Sequence, residues 1–290
     1  MKRTLTLDAF KRELFLGSGA TSQVFLARDP EGNPVALKIP KREVRENTEL
    51  AKRFAREVRL SLGIAHPHIV KGLAGKPYGP GAFLALEYFE EGTLGERVKK
   101  GNLPRELKLA YLAQIARALK YLHNLGIVHQ DVKPANVFIR GKVAKLGDFG
   151  VAKTREEPTP LERAGSPFYM APELFEGQEA TPASDAYSFG VMAYEILAGR
   201  RPFVGETYEE LMTAHLTNRP MPLKDENPAL ARAIMGLLEK DPGKRATIED
   251  FLEALSSTTG EKKPAVPDQK GTNRKPKKGG FLSRLLGRKS

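Results

Sequence analysis

The chain has 290 residues, of which 40% are hydrophobic and 28% charged, a composition that excludes a wholly disordered or collagen-like protein and favours one or two domains. Its apolar runs fall far short of the roughly 20 residues that a membrane-spanning helix needs, and no secretory signal follows the basic N-terminus. The absence of cysteine excludes disulfides, cysteine-ligated zinc and cysteine nucleophiles. We therefore expect a cytoplasmic protein.

The net charge of +12 is distributed unevenly. Residues 261–290 contain ten Lys or Arg and two acidic residues, a net charge of +8, which leaves +4 for residues 1–260. The basic character is therefore mainly a property of the C-terminal segment, and the rest of the chain is only mildly basic.

The first third of the chain predicts strands and one helix. Short apolar runs separated by turn residues predict strands at 23–28, 34–39 and 83–88. Apolar residues recur every four positions between 50 and 62, which is typical of an amphipathic helix. From about Leu94 the pattern becomes mainly helical, with helices predicted at 107–125, 184–198, 208–216, 228–238 and 248–255.

These elements predict two lobes and a tail. A small strand-rich lobe at 1–87 precedes a connecting segment at 88–93 and a larger helical lobe at 94–256. Residues 257–290 are rich in Ser, Thr, Gly, Lys and Pro, and this composition cannot bury enough apolar area to offset chain entropy. We expect them to form a flexible basic tail.

A glycine-rich loop directly precedes the strand predicted at 23–28. Gly17, Ser18 and Gly19 would let backbone amides approach a polyphosphate closely. Taken alone, such a loop is more often a simple turn. The strand-like residues from Val24 onward argue against a dinucleotide-binding loop, which needs a helix directly after the glycines.

A lysine and a glutamate form the second candidate feature. Lys38 ends the apolar strand Val35-Ala36-Leu37, and Glu57 lies on the amphipathic helix. An ion pair between them would hold the ammonium group in place for phosphate binding. The alternatives are a strand lysine that extends to water and an ordinary solvated helix charge.

The densest cluster of polar residues runs from residue 127 to 150. Asp131, Asn136 and Asp148 supply carboxylate and amide oxygens, which suit hard cations such as Mg²⁺. Each also has a structural alternative, because Asp-Phe-Gly is a plausible turn and an Asn before a strand can cap a loop. The order and separation of the whole set are harder to explain in that way.

Taken together, these motifs resemble those of a protein kinase, specifically a Ser/Thr kinase of the eukaryotic-like kind also found in bacteria. The resemblance covers roughly residues 10–256 and implies an α+β, bilobal, protein-kinase-like fold. The matching motifs arrive in the family's order: Gly17-x-Gly19, Val-Ala-Leu-Lys38, Glu57, His129-Gln-Asp131-x-Lys133-Pro-x-Asn136, Asp148-Phe-Gly and Ala171-Pro-Glu173.

The resemblance implies a role for each matching residue in transfer of the γ-phosphoryl group of ATP to Ser or Thr hydroxyls of proteins, including its own. Asp131 would accept or orient the hydroxyl proton, and Lys133 would neutralise the migrating group. Asn136 and Asp148 would hold Mg²⁺, with Mn²⁺ as an alternative. Glu173 would pair with Arg245 in a structural role.

The resemblance also implies a nucleotide site. The loop from Gly17 to Gly19 would cover the phosphates, and Lys38 would bind them while paired with Glu57. The gatekeeper would be Leu86. The main chain of Glu87 and Phe89 would bind adenine. Three side chains would sandwich its ring: Val24, Ala36 and Phe138.

Three residues depart from the family pattern. Ser22 replaces the third glycine of the loop. Gln130 replaces the arginine that usually pairs with a phosphorylated activation loop, so the charge for that pairing is missing. Ser61 stands where a larger apolar residue usually packs the helix inward, and this predicts a loosely held helix.

Other functions and partners stay open at this point. A pseudokinase that binds nucleotide and regulates partners is the main alternative, and a small-molecule kinase of related fold is another. The segment 281–289 would be amphipathic if helical and, beside several lysines, predicts attraction to anionic lipid at the inner membrane face. A solvated tail is the alternative to lipid binding. We expect no specific nucleic-acid partner.

Overall fold

The computed structural model describes residues 5–101, 103–154 and 166–259. The smaller lobe is built on a five-stranded antiparallel sheet with the strand order β1-β2-β3-β5-β4. The sheet contains β1 (Lys11–Ser18), β2 (Ser22–Arg28), β3 (Pro34–Pro40), β4 (Gly72–Lys76) and β5 (Phe83–Glu87). The glycine-rich loop is the turn between β1 and β2, and Lys38 lies on the central strand β3.

Two helices lie between β3 and β4, namely α1 (Arg42–Glu46) and α2 (Thr48–Gly63). Asn47 begins α2, because its side-chain oxygen accepts the N–H groups of Glu49 and Leu50 at 3.0 Å each. Phe54 and Val58 on its apolar face belong to a buried cluster that includes residues of β5. This packing turns Glu57 toward the space between the lobes.

Helix α2 packs closely against β4, and a loosely held α2 stays a prediction. Ser61 is buried, and β4 approaches the helix closely at two glycines. A Cβ atom at Gly72 would lie 2.5 Å from the carbonyl oxygen of Ser61, and one at Gly75 would lie 2.8 Å from Val58. The backbone of β4 therefore packs directly against α2 at these two positions.

The larger lobe is mainly helical. Its helices are α3 (Leu94–Lys99), α4 (Arg105–Asn124), α5 (Pro172–Phe175), α6 (Pro182–Ala198), α7 (Tyr208–Thr217), α8 (Pro228–Leu237) and α9 (Ile248–Thr259). Helices α4 and α6 form the centre of the largest apolar core, against which α8 and α9 pack. Helix α9 continues three residues beyond the position at which the sequence pattern ends the lobe.

Four short strands carry the site on the surface of this lobe that faces the sheet. Strand β6 (Ile127–Val128) pairs with β9 (Lys153–Thr154), and β7 (Val137–Arg140) forms a hairpin with β8 (Val143–Leu146). Leu146 also joins the lobes, because it exchanges main-chain hydrogen bonds of 2.9 Å with His68 and Val70.

The predicted α+β, bilobal architecture is confirmed. Nowhere in the described ranges is there a helix both long and apolar enough to cross a bilayer.

Candidate functional site

A cleft of about 570 Å³ lies between the two lobes. Twelve residues assigned by sequence to nucleotide or metal binding line it: Gly17, Ser18, Gly19, Val24, Ala36, Lys38, Glu57, Glu87, Phe89, Asn136, Phe138 and Asp148. Leu86 and Ser61 lie there too. The cleft therefore gathers residues that are separated by up to about half of the chain.

Nine further residues line the cleft that sequence reasoning left without a role: Leu16, Val70, Tyr88, Glu90, Gly92, Thr93, Glu96, Gly147 and Phe149. Phe149 belongs to the Asp148-Phe-Gly motif, and the other eight lie outside the quoted motifs. Gly147 directly precedes this motif, and a role could have been inferred from that position. A Cβ atom there would lie 2.8 Å from Val70 and 3.0 Å from the Phe138 ring, so only glycine fits beneath the cleft floor.

An ion-pair network crosses the inner end of the cleft. The Nζ atom of Lys38 lies 2.5 Å from Glu57 Oε1 and 3.2 Å from Asp148 Oδ1. The ammonium group of Lys38 lowers the pKa of Asp148 to about 2. Burial alone would lower the pKa of Lys38, but the two carboxylates raise it above its usual value. Lys38 is therefore a fixed cation that joins the sheet, helix α2 and the larger lobe.

The predicted catalytic residues lie beside the cleft and contact one another. Asp131 Oδ2 is 2.7 Å from Lys133 Nζ and accepts the Asn136 side-chain N–H at 2.8 Å. The same Asn136 amide nitrogen donates to the main-chain oxygen of Asp131 at 2.8 Å. Because its nitrogen is committed in this way, Asn136 has its Oδ1 atom left to ligate a cation.

Ser166 contacts the other carboxylate oxygen of Asp131. Its main-chain N–H donates to Asp131 Oδ1 at 3.1 Å, so this contact uses the backbone of Ser166. Ser166 follows the segment 155–165, which includes Thr159 and lies outside the described residues. This bond ties the start of the Ser-Pro-Phe-Tyr segment to Asp131.

Asp185 of helix α6 shapes the loop that carries Asp131. This carboxylate is fully buried and accepts the main-chain N–H groups of His129 and Gln130 at 2.8 Å each, while His123 Nε2 lies 2.9 Å away. Gln130 has a φ of 68°, which is unfavourable for a residue with a side chain. The bonds to Asp185 offset this strain and hold the loop in its reactive shape.

The uncharged side chain of Gln130 binds the segment that follows Asp148. Its side-chain Nε2 donates to the main-chain oxygen of Val151 at 2.5 Å. The Gln130 Oε1 atom is buried without a hydrogen-bond partner in the described part of the chain. A neutral amide therefore occupies the position at which the family pattern has arginine.

Asp148 is also held by its backbone. It has a φ of 65°, and its carboxylate accepts the N–H of Gly150 at 3.3 Å. His129 supports the turn from below, because its Nδ1 accepts the N–H of Asp131 at 3.3 Å and its Nε2 donates to the oxygen of Gly147 at 3.1 Å. The turn directs Asp148 toward Lys38.

The outer end of the cleft is lined by apolar side chains and includes an open main-chain donor at Phe89. Val24 and Ala36 come from the sheet, and Phe138 comes from β7 on the opposite side. The Phe138 and Phe89 ring centroids are 5.7 Å apart. The Phe89 N–H has no hydrogen-bond acceptor within the described ranges. Such a slot suits a flat aromatic ring that accepts one hydrogen bond.

The donor set fits a divalent cation that is bound together with phosphate. Among the described residues no group of three or more His, Asp or Glu side chains could hold a metal ion by itself. Asn136 and Asp148 both line the cleft and would supply two oxygen ligands, a number that suits Mg²⁺ sites completed by substrate phosphates. A Cβ atom at Gly17 would meet nothing within 4 Å, so the loop leaves open space for the phosphates.

A buried ion pair supports the site from below. Glu173 and Arg245 form a bidentate pair, with both Oε to Nη distances at 2.8 Å. Ser184 donates to the same carboxylate at 2.8 Å. The Glu173 and Arg245 side chains are 3% and 0% exposed. The pair joins the segment after Ser166 to the chain before α9.

Comparison with known proteins agrees with this geometry. Residues 10–255 match the protein kinase domain family. The chain is 35% identical over 266 residues to the serine/threonine-protein kinase drp72 of Corynebacterium efficiens. This alignment covers 87% of this chain and 51% of the relative. It is 35% identical over 303 residues to the serine/threonine-protein kinase pkn2 of Myxococcus xanthus, covering 95% of this chain and 36% of that relative.

A third relative is the serine/threonine-protein kinase PknA of Mycobacterium tuberculosis, at 32% identity over 277 residues, which cover 90% of this chain and 63% of PknA. The chain thus spans between about a third and two thirds of the length of these relatives. The family match, by contrast, takes in most of the chain. The chain therefore belongs to the protein kinase domain family.

Proposed function

We propose that this protein is an ATP-dependent kinase that transfers the γ-phosphoryl group to Ser and Thr hydroxyls of protein substrates, its own included. One observation carries the proposal: the network of Lys38, Glu57 and Asp148 and the cluster of Asp131, Lys133 and Asn136 meet at one cleft. Phosphoryl transfer needs mainly positioning and charge neutralisation, and these six side chains supply both.

The nucleotide-binding roles follow from the two ends of the cleft. The Phe89 N–H and the Glu87 carbonyl would bind the adenine edge, and Val24, Ala36 and Phe138 would cover the ring faces. At the inner end, Lys38 would bind α- and β-phosphate oxygens, with its ammonium group held by Glu57. The loop from Gly17 to Gly19 would cover the phosphates through backbone N–H groups.

Asn136 and Asp148 would hold the divalent cation, which we propose is Mg²⁺, with Mn²⁺ as a substitute. When bound, the cation neutralises charge on the phosphate oxygens. Because Lys38 keeps the pKa of Asp148 near 2, this carboxylate is ionised throughout the physiological pH range. Asn136 is oriented by its two bonds to Asp131.

Asp131 would act on the acceptor hydroxyl, and Lys133 on the transferred group. The hydroxyl oxygen forms a bond to the γ-phosphorus as the bond from that phosphorus to the β,γ-bridging oxygen breaks, and ADP leaves. Asp131 orients the hydroxyl and accepts its proton. Lys133, 2.7 Å from Asp131, offers positive charge to the phosphoryl oxygens.

Two alternatives receive less support. A pseudokinase would tolerate loss of polar residues from the site, but all the residues expected of an active site are present and in contact. A small-molecule kinase would have no need of the Ala171-Pro-Glu173 segment, which the buried pair of Glu173 and Arg245 fixes here.

Phosphosite mass spectrometry tests the proposal. The protein is incubated with a dephosphorylated proteome extract, ATP and Mg²⁺, and a parallel sample contains EDTA. We expect new phosphoserine and phosphothreonine sites, on the extract and on the protein itself, that EDTA prevents. A protein that binds ATP but produces no new sites would contradict the proposal and support the pseudokinase alternative.

We also propose that the basic segment 275–289 binds anionic lipid at the inner membrane face. It lies outside the described residues, and its sequence alone supports the proposal. In co-sedimentation with vesicles containing phosphatidylserine, the full chain should pellet with the vesicles, and a chain that ends at Thr259 should stay in the supernatant. Equal sedimentation of the two chains would contradict lipid binding by this segment.

A further inference from the structure

The main chain at the outer end of the cleft is held from behind by residues that do not line the cleft. The segment from Glu87 to Phe89 connects the two lobes and presents the open Phe89 N–H. A short connection of this kind rotates readily unless other groups fix its peptide planes. Two basic residues of the β7–β8 hairpin, Arg140 and Lys145, contact this segment.

Arg140 holds the amide that carries the open donor. Its Nη2 atom donates to the carbonyl oxygen of Tyr88, and its guanidinium lies 4.8 Å from the centroid of the Phe89 ring. The Tyr88 carbonyl and the Phe89 N–H belong to the same planar peptide group and point in opposite directions. A cation on the carbonyl therefore fixes the direction of the N–H and also polarises it toward stronger donation.

Lys145 holds Glu87, the residue before Tyr88. Its Nζ atom lies 2.7 and 2.9 Å from the two carboxylate oxygens of Glu87. The same carboxylate accepts the main-chain N–H of Lys71 at 2.7 Å. Glu87 thus bridges the smaller lobe and strand β8, and its side chain and that of Lys145 are only 16% and 19% exposed.

The hairpin that carries these two cations also provides the floor of the cleft. Phe138 lies on β7, and a main-chain bridge joins it to Thr93 just after the connection. The N–H of Ile139 donates to the oxygen of Gly92 at 3.1 Å. One rigid unit therefore sets both the face on which a flat ring rests and the edge at which it is bound.

We propose that Arg140 and Lys145 are positioning residues for the purine base, acting through the amide of Tyr88 and Phe89 and through Glu87. The inference rests on the proposed function, since it assigns adenine to this end of the cleft. Neither side chain touches the base. They hold the connection in its binding geometry before the nucleotide arrives and so reduce the entropy lost on binding.

Calorimetric titration with adenosine tests the role, because adenosine has the base but no phosphates. We expect Arg140→Met to raise the Kd for adenosine about tenfold, and Lys145→Met to raise it by a similar factor. Arg140→Lys and Lys145→Arg, which keep a donor cation, should recover most of the affinity. In kinetic assays the KM for ATP should rise by the same factor, with kcat unchanged.

Lys142→Met is the matched control. Lys142 is an exposed lysine in the turn of the same hairpin, and its replacement removes the same charge. It should bind adenosine as the wild type does. An unchanged Kd in Arg140→Met, or an equal loss in Lys142→Met, would overturn the proposal. Because Arg140 is exposed, its variant is expected to fold even if Lys145→Met does not.

The titration also separates this inference from the proposed function. A wild-type protein that binds adenosine but transfers no phosphoryl group would contradict the kinase proposal, while the adenosine affinities of the variants would still decide the role of Arg140 and Lys145.

Discussion

Replacing Asp131 by Asn is expected to lower kcat by about a thousandfold while the Kd for ATP stays within about twofold of the wild-type value. Loss of a positioned acid or base typically costs a factor of roughly 10² to 10⁴. The change keeps the size of the side chain and one acceptor oxygen for the N–H of Ser166. It removes the negative charge that faces Lys133 and one of the two oxygen acceptors of Asn136, whose bond to the main-chain oxygen of residue 131 remains.

We expect the substitution to lower kcat and not the affinity for ATP, because Asp131 lies beside the cleft and does not line its nucleotide-binding surface. Initial rates with a peptide substrate and titration with ATP give the two quantities separately. Asp225→Asn is the matched control, since it makes the same change at an exposed position of the larger lobe. Wild-type kcat in Asp131→Asn would show that another group handles the proton.

Replacing Arg245 by Met is expected to reduce the free energy of unfolding by about 3–5 kcal/mol. Removing one partner of a buried ion pair leaves the other charge buried without compensation, and breaking such pairs costs about this much. The carboxylate of Glu173 would keep the Ser184 hydroxyl as a donor but would lose its charged partner. Arg245 also donates to the main-chain oxygens of Ala183, Glu239 and Lys240, which would lose a donor.

Urea denaturation monitored by circular dichroism measures this loss. Arg42→Met is the matched control, because Arg42 pairs with Glu46 on α1 and the two side chains are 81% and 62% exposed. Exposed pairs contribute little, so this variant should unfold like the wild type. The double variant Glu173→Gln with Arg245→Met should recover part of the loss. An Arg245→Met variant as stable as the wild type would contradict the structural role of the pair.

The strongly patterned parts of the fold could be predicted from the sequence. Helix α2 and the long helices of the larger lobe have clear apolar periodicity, and their observed bounds differ from the predicted ones by a few residues. Strand β4 was missed because Gly72 and Gly75 interrupt its apolar pattern, although these glycines are what allow it to pack on α2. The pairing of β4 with β5 depends on this contact with α2, which the local sequence pattern does not show.

Those site residues whose chemistry follows from their residue type could be predicted from the sequence. Lys38, Asp131 and Asp148 were found from their charge and motif order, and the structure brings them to one cleft. The left-handed backbone of Gln130 and Asp148 could not be inferred, because it depends on the buried carboxylate of Asp185 and on His129. Such strain is visible only once distant residues are in place.

The supporting residues of the cleft were the hardest to predict. Arg140 and Lys145 look like ordinary surface charges on a hairpin, and no short motif connects them with Tyr88 and Glu87, which lie more than 50 positions earlier in the chain. Their role depends on the pairing of β7 with the connection between the lobes, a long-range contact that local sequence does not specify.

Crystallography with a non-hydrolysable ATP analogue and Mn²⁺ tests most directly whether this cleft is the site of phosphoryl transfer, because Mn²⁺ can be located by its anomalous scattering. We predict an anomalous peak within coordination distance of Asn136 Oδ1 and an Asp148 carboxylate oxygen, with the base against Phe138. Nucleotide and Mn²⁺ bound at any other surface, with this cleft empty, would contradict the account.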